Sequence, residues 1–425
     1  MSALMNLTSQ GRAARIGSAC VVPRTQRTTS YICKAINKTD NVHKEVNVRS
    51  PLERAAISIA TAAAVVMGTF SPLVLEPHAA QAILVSSDPV KNAAAILRNA
   101  LPIDNKPIRQ VQKDLESISE ALRIPGSKSL GPVSRAIRAS QDVLSRQKDT
   151  IVKSFAPEKK EYGLENIEKL QAALNEFQAL VEAKDKQAVP IKQREALTYV
   201  GNIEEAMVKG FPFQVPPEYA DRPLLLGRAT LEMKVNCRQT PEGPQTFMQT
   251  VVLDGYNAPV SAGQFLDLVL RKFYDGMEIQ RADGFVVQFG DPEGPADGFV
   301  DPKTGDIRRV PFEVKVVGDK EPIYDFTLED LGRVNEQPVL PFNAYGTLAW
   351  ARNEFENNSA SSQVFFLLKE SELTPTGSNL LDGRFAVFGY ITQGQDVLSD
   401  FKVGDKIEYI KVIDGAGNLK NGPSV

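Results

Sequence analysis

The stretch Gln280-Arg281-Ala282-Asp283-Gly284-Phe285-Val286-Val287-Gln288-Phe289-Gly290-Asp291 puts a guanidinium, a short turn, an aromatic ring and an amide close together. Around it the apolar residues come in short runs at 229–235, 246–252, 346–351, 363–368, 386–391 and 406–412, with Gly, Pro, Asn and Asp between them. Runs of that length, broken by turn formers, predict the strands of an all-β barrel or sandwich. One amphipathic helix intrudes, because Ala262, Phe265, Leu266, Leu268, Val269 and Phe273 fall at helical spacing.

Two later stretches carry related residue types: Ser362-Gln363-Val364-Phe365-Phe366 and Leu380-Leu381-Asp382-Gly383-Arg384-Phe385-Ala386-Val387-Phe388-Gly389. Each of the three is weak alone. In this order on a β framework, they resemble the cyclophilin family over most of residues 225–425. The resemblance implies a closed β-barrel with flanking helices and a peptidyl-prolyl cis-trans isomerase activity that needs no cofactor and no metal. It implies Arg281 as the catalytic residue. It also implies a substrate site lined by Phe285, Val286, Gln288, Ala351, Gln363, Phe365, Leu380, Leu381 and Phe385.

The chemistry explains the residue types. A prolyl peptide bond resists rotation because its nitrogen lone pair is delocalised, and uncatalysed isomerisation is slow. A guanidinium that donates hydrogen bonds to the substrate favours the twisted state, in which that lone pair localises on nitrogen. An apolar floor receives the proline ring, and an amide holds the substrate backbone and orients the arginine. Binding that is stronger in the twisted state than in either planar one is sufficient for catalysis. Taken singly, Arg281 reads as a surface ion pair with Asp283 or Asp291, and Phe285 and Phe365 read as core aromatics.

The chain departs from the family pattern at the rim. The turn between Arg281 and Phe285 is one residue shorter and lacks its proline. Val286 stands for the usual Met, Phe385 for a pocket His, Leu380 for the Trp of many active members, and Arg352 for the Asn after Ala351. The segment 291–346 is longer and strongly charged, and two extra residues fall within 353–361. These changes predict retained prolyl-peptide affinity with weakened or altered turnover.

Upstream, Phe211-Pro212-Phe213-Gln214-Val215-Pro216-Pro217 predicts an extended linker over 211–221, since such proline density cannot continue a helix. Its proline content and nearness to residues 222–425 suggest that it, or the face of the bundle beside it, lies across the domain's own pocket and holds it closed. Before it, residues 83–210 carry apolar stripes at helical spacing, among them Ile108, Val111, Leu115, Ile118 and Leu122, and Ile167, Leu170, Leu174, Phe177 and Val181. Each helix has one stripe to bury, which predicts an all-α bundle of four or five antiparallel helices. The second stripe fits a heptad, but about two heptads are too few for a coiled coil.

Residues 1–39 hold six basic side chains and no Asp or Glu, the signature of an organelle transit peptide; a basic tail for nucleic acid is the alternative. An apolar run from residue 55 to 75 then leads to Ala80-Gln81-Ala82, a small-x-small cleavage signal, with a permanent membrane anchor as its alternative. A two-stage address predicts a transit peptide and linker over 1–54, a thylakoid-lumen signal over 55–82 with cleavage after Ala82, and residence in the chloroplast thylakoid lumen. Of the chain's 49 basic and 52 acidic side chains, nine and four precede that point, leaving 40 against 48. That balance argues against nucleic acid as a partner. His43, His78, Cys20 and Cys33 also precede it, leaving Cys237 alone. A mature chain without histidine cannot assemble a Ser–His–Asp or Cys–His group or a Cys/His zinc site.

Together, the lumenal address, helical region and divergent C-terminal domain resemble the large thylakoid-lumen cyclophilins of plants and algae. That resemblance implies assistance to photosystem II assembly and stability, through proline-containing lumenal loops of its core subunits. The protein is expected to be soluble, with association at the thylakoid membrane surface open. The alternative is a catalytically weak or inactive prolyl-peptide-binding chaperone or regulator that works through its helical bundle. In a third reading the bundle itself resembles an extrinsic photosystem subunit, with the barrel as a docking handle.

Overall fold

Asparagine starts the first two helices. Asn92 and Asn105 sit in extended backbone, and each side-chain oxygen accepts the amide three residues on, from Ala95 and Ile108, at 3.0 Å. They cap α1 (Ala93–Asn99) and α2 (Lys106–Leu122). Next come α3 (Leu130–Arg146), α4 (Lys148–Lys153), α5 (Lys160–Glu182) and α6 (Val189–Ala206). The computed structural model describes residues 89–125, 129–240, 243–370 and 379–423. The readings of residues 1–82, including cleavage at Ala82, lie outside the described residues.

The four long helices pack in a ring, α2 and α5 each against both α3 and α6. Their stripes fill its centre: Ile108, Val111, Leu115, Ile118, Ile137, Ile167, Leu170, Leu174, Phe177 and Ile203 are fully buried. The heptad-like stripe of α5 is therefore a bundle seam. Asn105 also donates to Ser154 Oγ at 2.8 Å, tying α2 to the end of α4. Asn105→Ala is expected to cost about 1–2 kcal/mol. The measurement is a denaturant midpoint, which falls at unchanged slope; an unmoved midpoint would mean that water replaces the cap.

The second half is antiparallel. Strands β1 (Leu224–Leu225), β2 (Arg228–Thr240) and β3 (Gly243–Asp254) are followed by helix α7 (Pro259–Leu270). Then come β4 (Arg281–Ala282), β5 (Val286–Phe289), and the ribbon of β6 (Glu313–Val314) and β7 (Ile323–Tyr324). The chain continues through β8 (Thr347–Trp350), β9 (Val364–Leu367), β10 (Val387–Gln393), β11 (Lys406–Asp414) and β12 (Leu419–Lys420), the last paired with β1. The main sheet runs β11-β2-β3-β10-β8-β9-β5-β4.

The expected closed barrel is met as a curled, open eight-stranded sheet. Its end strands share no ladder, because β4 is only two residues long. The segment before it reaches β11 through a single bridge, Glu278 to Lys406, and through backbone bonds such as Ile279 N to Asp405 O at 2.8 Å. Helix α7 fills the concave side: Phe265 packs on Tyr274, Phe388 and Trp350 at ring-centre distances of 5.0, 5.4 and 6.3 Å. Glu313, fully buried on β6, accepts the amides of Ser261 (2.7 Å) and Val260 (3.3 Å) at the start of α7. The two amides favour its charged form, but burial outweighs them and pushes the carboxyl up to about 7.

Two contacts join the halves through the end of α1. Arg228 donates to the Leu97 carbonyl while holding Asp254 at 2.7 Å, and Asn257 Nδ2 donates to the Ala100 carbonyl at 2.9 Å. From the bundle side, Arg109 donates to the carbonyls of Arg98 (2.8 Å) and Leu101 (3.0 Å). In the proline-rich join, Phe211 packs with Leu101, Val208 and Tyr256, and Val215 with Tyr219, Leu224 and Val260. None of these partners belongs to the peptide-site set, so these contacts give no support to a join laid across the pocket.

Glu204 on α6 is fully buried beside Arg109, with Nη1 to Oε1 at 3.1 Å. Burial pushes its carboxyl up to about 7, against the pull of Arg109 and Arg98. A carboxyl raised in the folded state binds its proton more tightly there than in the unfolded chain. Its contribution is full below the ordinary value near 4.5 and is lost as pH rises through about 7. Glu204→Gln is therefore expected to shrink the stability gain between pH 8 and pH 5 by on the order of 2 kcal/mol. Thermal unfolding at the two pH values checks it; an equal gain in wild type and variant would show that Glu204 titrates as it does in water.

Candidate functional site

Three strands build one face. In the ladders Arg281 lies opposite Gln288, and Gln288 opposite Phe365. Directly paired residues point to the same side, and so do residues two apart on one strand. Arg281, Val286, Gln288, Gln363 and Phe365 therefore share the convex face, whereas Val287, Phe289, Val364 and Phe366 point inward. Alternation puts two of the four residues of β9 on each side of the sheet.

Gln288 Nε2 donates to Gln363 Oε1 at 2.9 Å, and Gln363 Nε2 donates to Asp291 Oδ1 at 3.2 Å and Asp297 Oδ1 at 3.4 Å. Burial, and then the Asp297 charge, raise the Asp291 carboxyl above its ordinary value. The two amides thus form a fixed relay beside the arginine, and each keeps polar atoms near the surface.

Arg281 is held by the turn that follows it. Its Nε and Nη2 donate to Asp283 Oδ2 at 2.7 and 2.5 Å. The other oxygen of Asp283 accepts the amides of Phe285 and Val286, both at 3.0 Å. Gly284 completes the turn at φ +77°, where a side chain would be strained. Burial alone would raise the Asp283 carboxyl, but the Val286 amide, Arg281 and the Phe285 amide outweigh it and hold it below the usual range. The ion pair that Arg281 suggests when read singly is therefore present, and it braces the guanidinium at the edge of the shared face.

The apolar set is packed tightly. Val286 and Phe365 have no exposed surface, and Leu381, Ala351 and Phe385 are also buried. Phe365 stacks on Phe342 at 6.0 Å and meets Phe385 edge-on at 5.7 Å. The Arg352 guanidinium lies 5.2 Å from the Phe385 ring, and its Nε donates to the Arg384 carbonyl at 2.8 Å. The other lining residues are more open: Phe285 is half-buried, and Leu380 is largely exposed beside buried Leu381.

Sequence reasoning missed two supports of the site. Phe342 backs the Phe365 ring. Asp382 accepts the amides of Phe342 (2.7 Å) and Asn379 (2.9 Å) and so anchors the turn that carries Leu381; burial pushes its carboxyl up to about 6. Nothing in residues 338–346 signals a ring stacked on a distant strand. The bracing role of Asp283 had a local signal, since Asp before Gly commonly accepts amides two and three residues on. Cys237 is buried, and burial followed by Asp405 pushes its thiol up to about 12, far from a reactive thiolate.

Comparison with known proteins agrees with both halves. Residues 92–208 match the family model described as the PsbQ-like domain of CYP38-like peptidyl-prolyl cis-trans isomerases. Residues 245–414 match the cyclophilin-type peptidyl-prolyl cis-trans isomerase model. The chain is 50% identical to the chloroplastic peptidyl-prolyl cis-trans isomerase CYP38 of Arabidopsis thaliana, over 96% of this chain and 93% of the relative. A candidate thylakoid lumen peptidyl-prolyl cis-trans isomerase of Synechocystis is 44% identical over 80% of this chain and 87% of its own. Chloroplastic CYP37 of Arabidopsis thaliana is 32% identical over 80% and 73%. The chain is accordingly a chloroplast thylakoid-lumen member of the cyclophilin-type peptidyl-prolyl cis-trans isomerase family, carrying a PsbQ-like helical domain ahead of its cyclophilin domain.

Proposed function

We propose that the protein binds proline-containing segments in the thylakoid lumen and turns over their prolyl bonds slowly. The observation that carries this reading is the pairing of Arg281 with Gln288 and of Gln288 with Phe365, which sets guanidinium, amide and ring on one face. In the proposed cycle Phe365, Val286 and Leu381 receive the proline ring, and Gln288 and Gln363 hold the flanking backbone. Arg281, braced by Asp283, donates toward the prolyl amide as it twists. Phe285, Ala351 and Phe385 complete the wall, and no proton changes hands. The client class we propose is the proline-containing lumenal loops of photosystem II core subunits, whose assembly the protein would assist. The lumenal address and the PsbQ-like helical domain favour that choice.

A second reading has its own observation. Phe365 is fully buried between Phe342 and Phe385, so a proline ring reaches it only after Phe385 or its turn moves. A chaperone that holds prolyl segments at the open rim of Phe285 and Leu380, without seating the proline on Phe365, fits that packing. The full-length chain in a protease-coupled assay with a proline tetrapeptide separates the two. Turnover above the spontaneous rate supports the isomerase, binding without turnover supports the chaperone, and a peptide that does not bind overturns the prolyl reading.

A further inference from the structure

Beside the buried floor the surface changes character. Phe326, Leu331, Phe355 and Leu380 are 55%, 44%, 81% and 80% exposed, a costly group of large apolar side chains to leave in water. Their three loops are tied together. Asn357 Nδ2 donates to the Asp325 carbonyl (3.0 Å) and to Asp330 Oδ2 (2.8 Å), linking the Phe355 loop to the Phe326–Leu331 loop. Leu328 N donates to the Gly383 carbonyl (3.0 Å), and Arg384 meets Glu329 (3.1 Å), linking that loop to the Leu380 turn.

This surface adjoins the floor, since Leu380 and buried Leu381 are consecutive residues and Arg352 joins its own loop to Phe385. Phe326 and Leu331 lie in the strongly charged segment 291–346, and Phe355 lies within 353–361. We infer that these loops form an apolar collar that docks an extended client segment with large apolar side chains flanking its proline. The inference rests on the prolyl-peptide reading above and names the flanking chemistry of its substrate. A second copy of the chain is a poorer occupant. Asp330, Glu354 and Glu356 are direct chain neighbours of Leu331 and Phe355, and a two-fold pairing that brought them together would oppose like charges.

The test uses the full chain and three labelled peptides of equal length in fluorescence anisotropy. One has Phe and Leu flanking the proline, one has Ser on both sides, and one is the Ser peptide with Ala for Pro. Wild type is expected to prefer the Phe/Leu peptide to the Ser peptide by about tenfold or more. Phe326→Ser/Phe355→Ser is expected to remove most of that preference while the unfolding midpoint stays in place. Equal affinity of wild type for the two proline peptides, or a preference that survives the substitutions, overturns the collar. So does wild-type self-association in sedimentation that the same substitutions abolish. If the Ser–Pro and Ser–Ala peptides bind alike, the prolyl reading fails instead, and an intact flank preference would still support the collar.

Discussion

Arg281→Ala is expected to lower prolyl turnover by about 10²–10³-fold, the usual loss when one preorganised donor is removed from a developing lone pair. The fold should barely register the change. Arg281 is mostly buried, but the Asp283 side chain is 38% exposed, so water takes over the freed carboxylate oxygen and the loss should be about 1 kcal/mol. Peptide affinity should fall much less than turnover, because the apolar floor and the two glutamines remain. Arg281→Lys restores the charge but cannot donate as a planar fork, so it should recover little. Asp283→Asn gives an independent reading. It keeps an oxygen for the Phe285 and Val286 amides and loses the charge that braces the guanidinium. Turnover should drop with little change in midpoint. Unaltered turnover in Arg281→Ala would remove the guanidinium from the mechanism.

Much of this arrangement was legible in the sequence because it follows period and local chemistry. The six β runs became β2, β3, β8, β9, β10 and β11, and the spacing around Phe265 became α7, although Phe273 falls beyond its end. The helical stripes became the buried seams of the bundle. The sequence could not show the closure of the sheet, which depends on whether residues 276–280 ladder with β11 or touch it at one bridge. Nor could it show which ring lies against which. Phe342 stacks on Phe365 across a gap in sequence that no periodicity spans. The junction between the halves was equally hidden. Arg228 and Asp254 lie 26 positions apart, and only the pairing of β2 with β3 sets them opposite each other.

That junction carries the largest expected loss of stability. Asp254 is fully buried, with Arg228 its charged partner at 2.7 Å and Asn257 its other donor, through N and Nδ2 at 3.0 Å each. Arg228→Ala leaves the carboxylate in place and strips its counter-charge, a change that typically costs 3–5 kcal/mol. It also strips the Leu97 carbonyl of its donor from the sheet half. The loss should therefore have a local signature: amides of α1 and the turn after it exchange faster, while those of α5 keep their rank. Arg228→Lys restores charge near Asp254, but one ammonium cannot reproduce a fork that serves both Asp254 and Leu97, so recovery should be partial. Chemical denaturation measures the first effect and amide exchange the second. A loss below about 1 kcal/mol would mean that water reaches Asp254 once Arg228 is gone, and that the bundle is held to the sheet mainly by the apolar contacts of Leu101, Val208 and Tyr256.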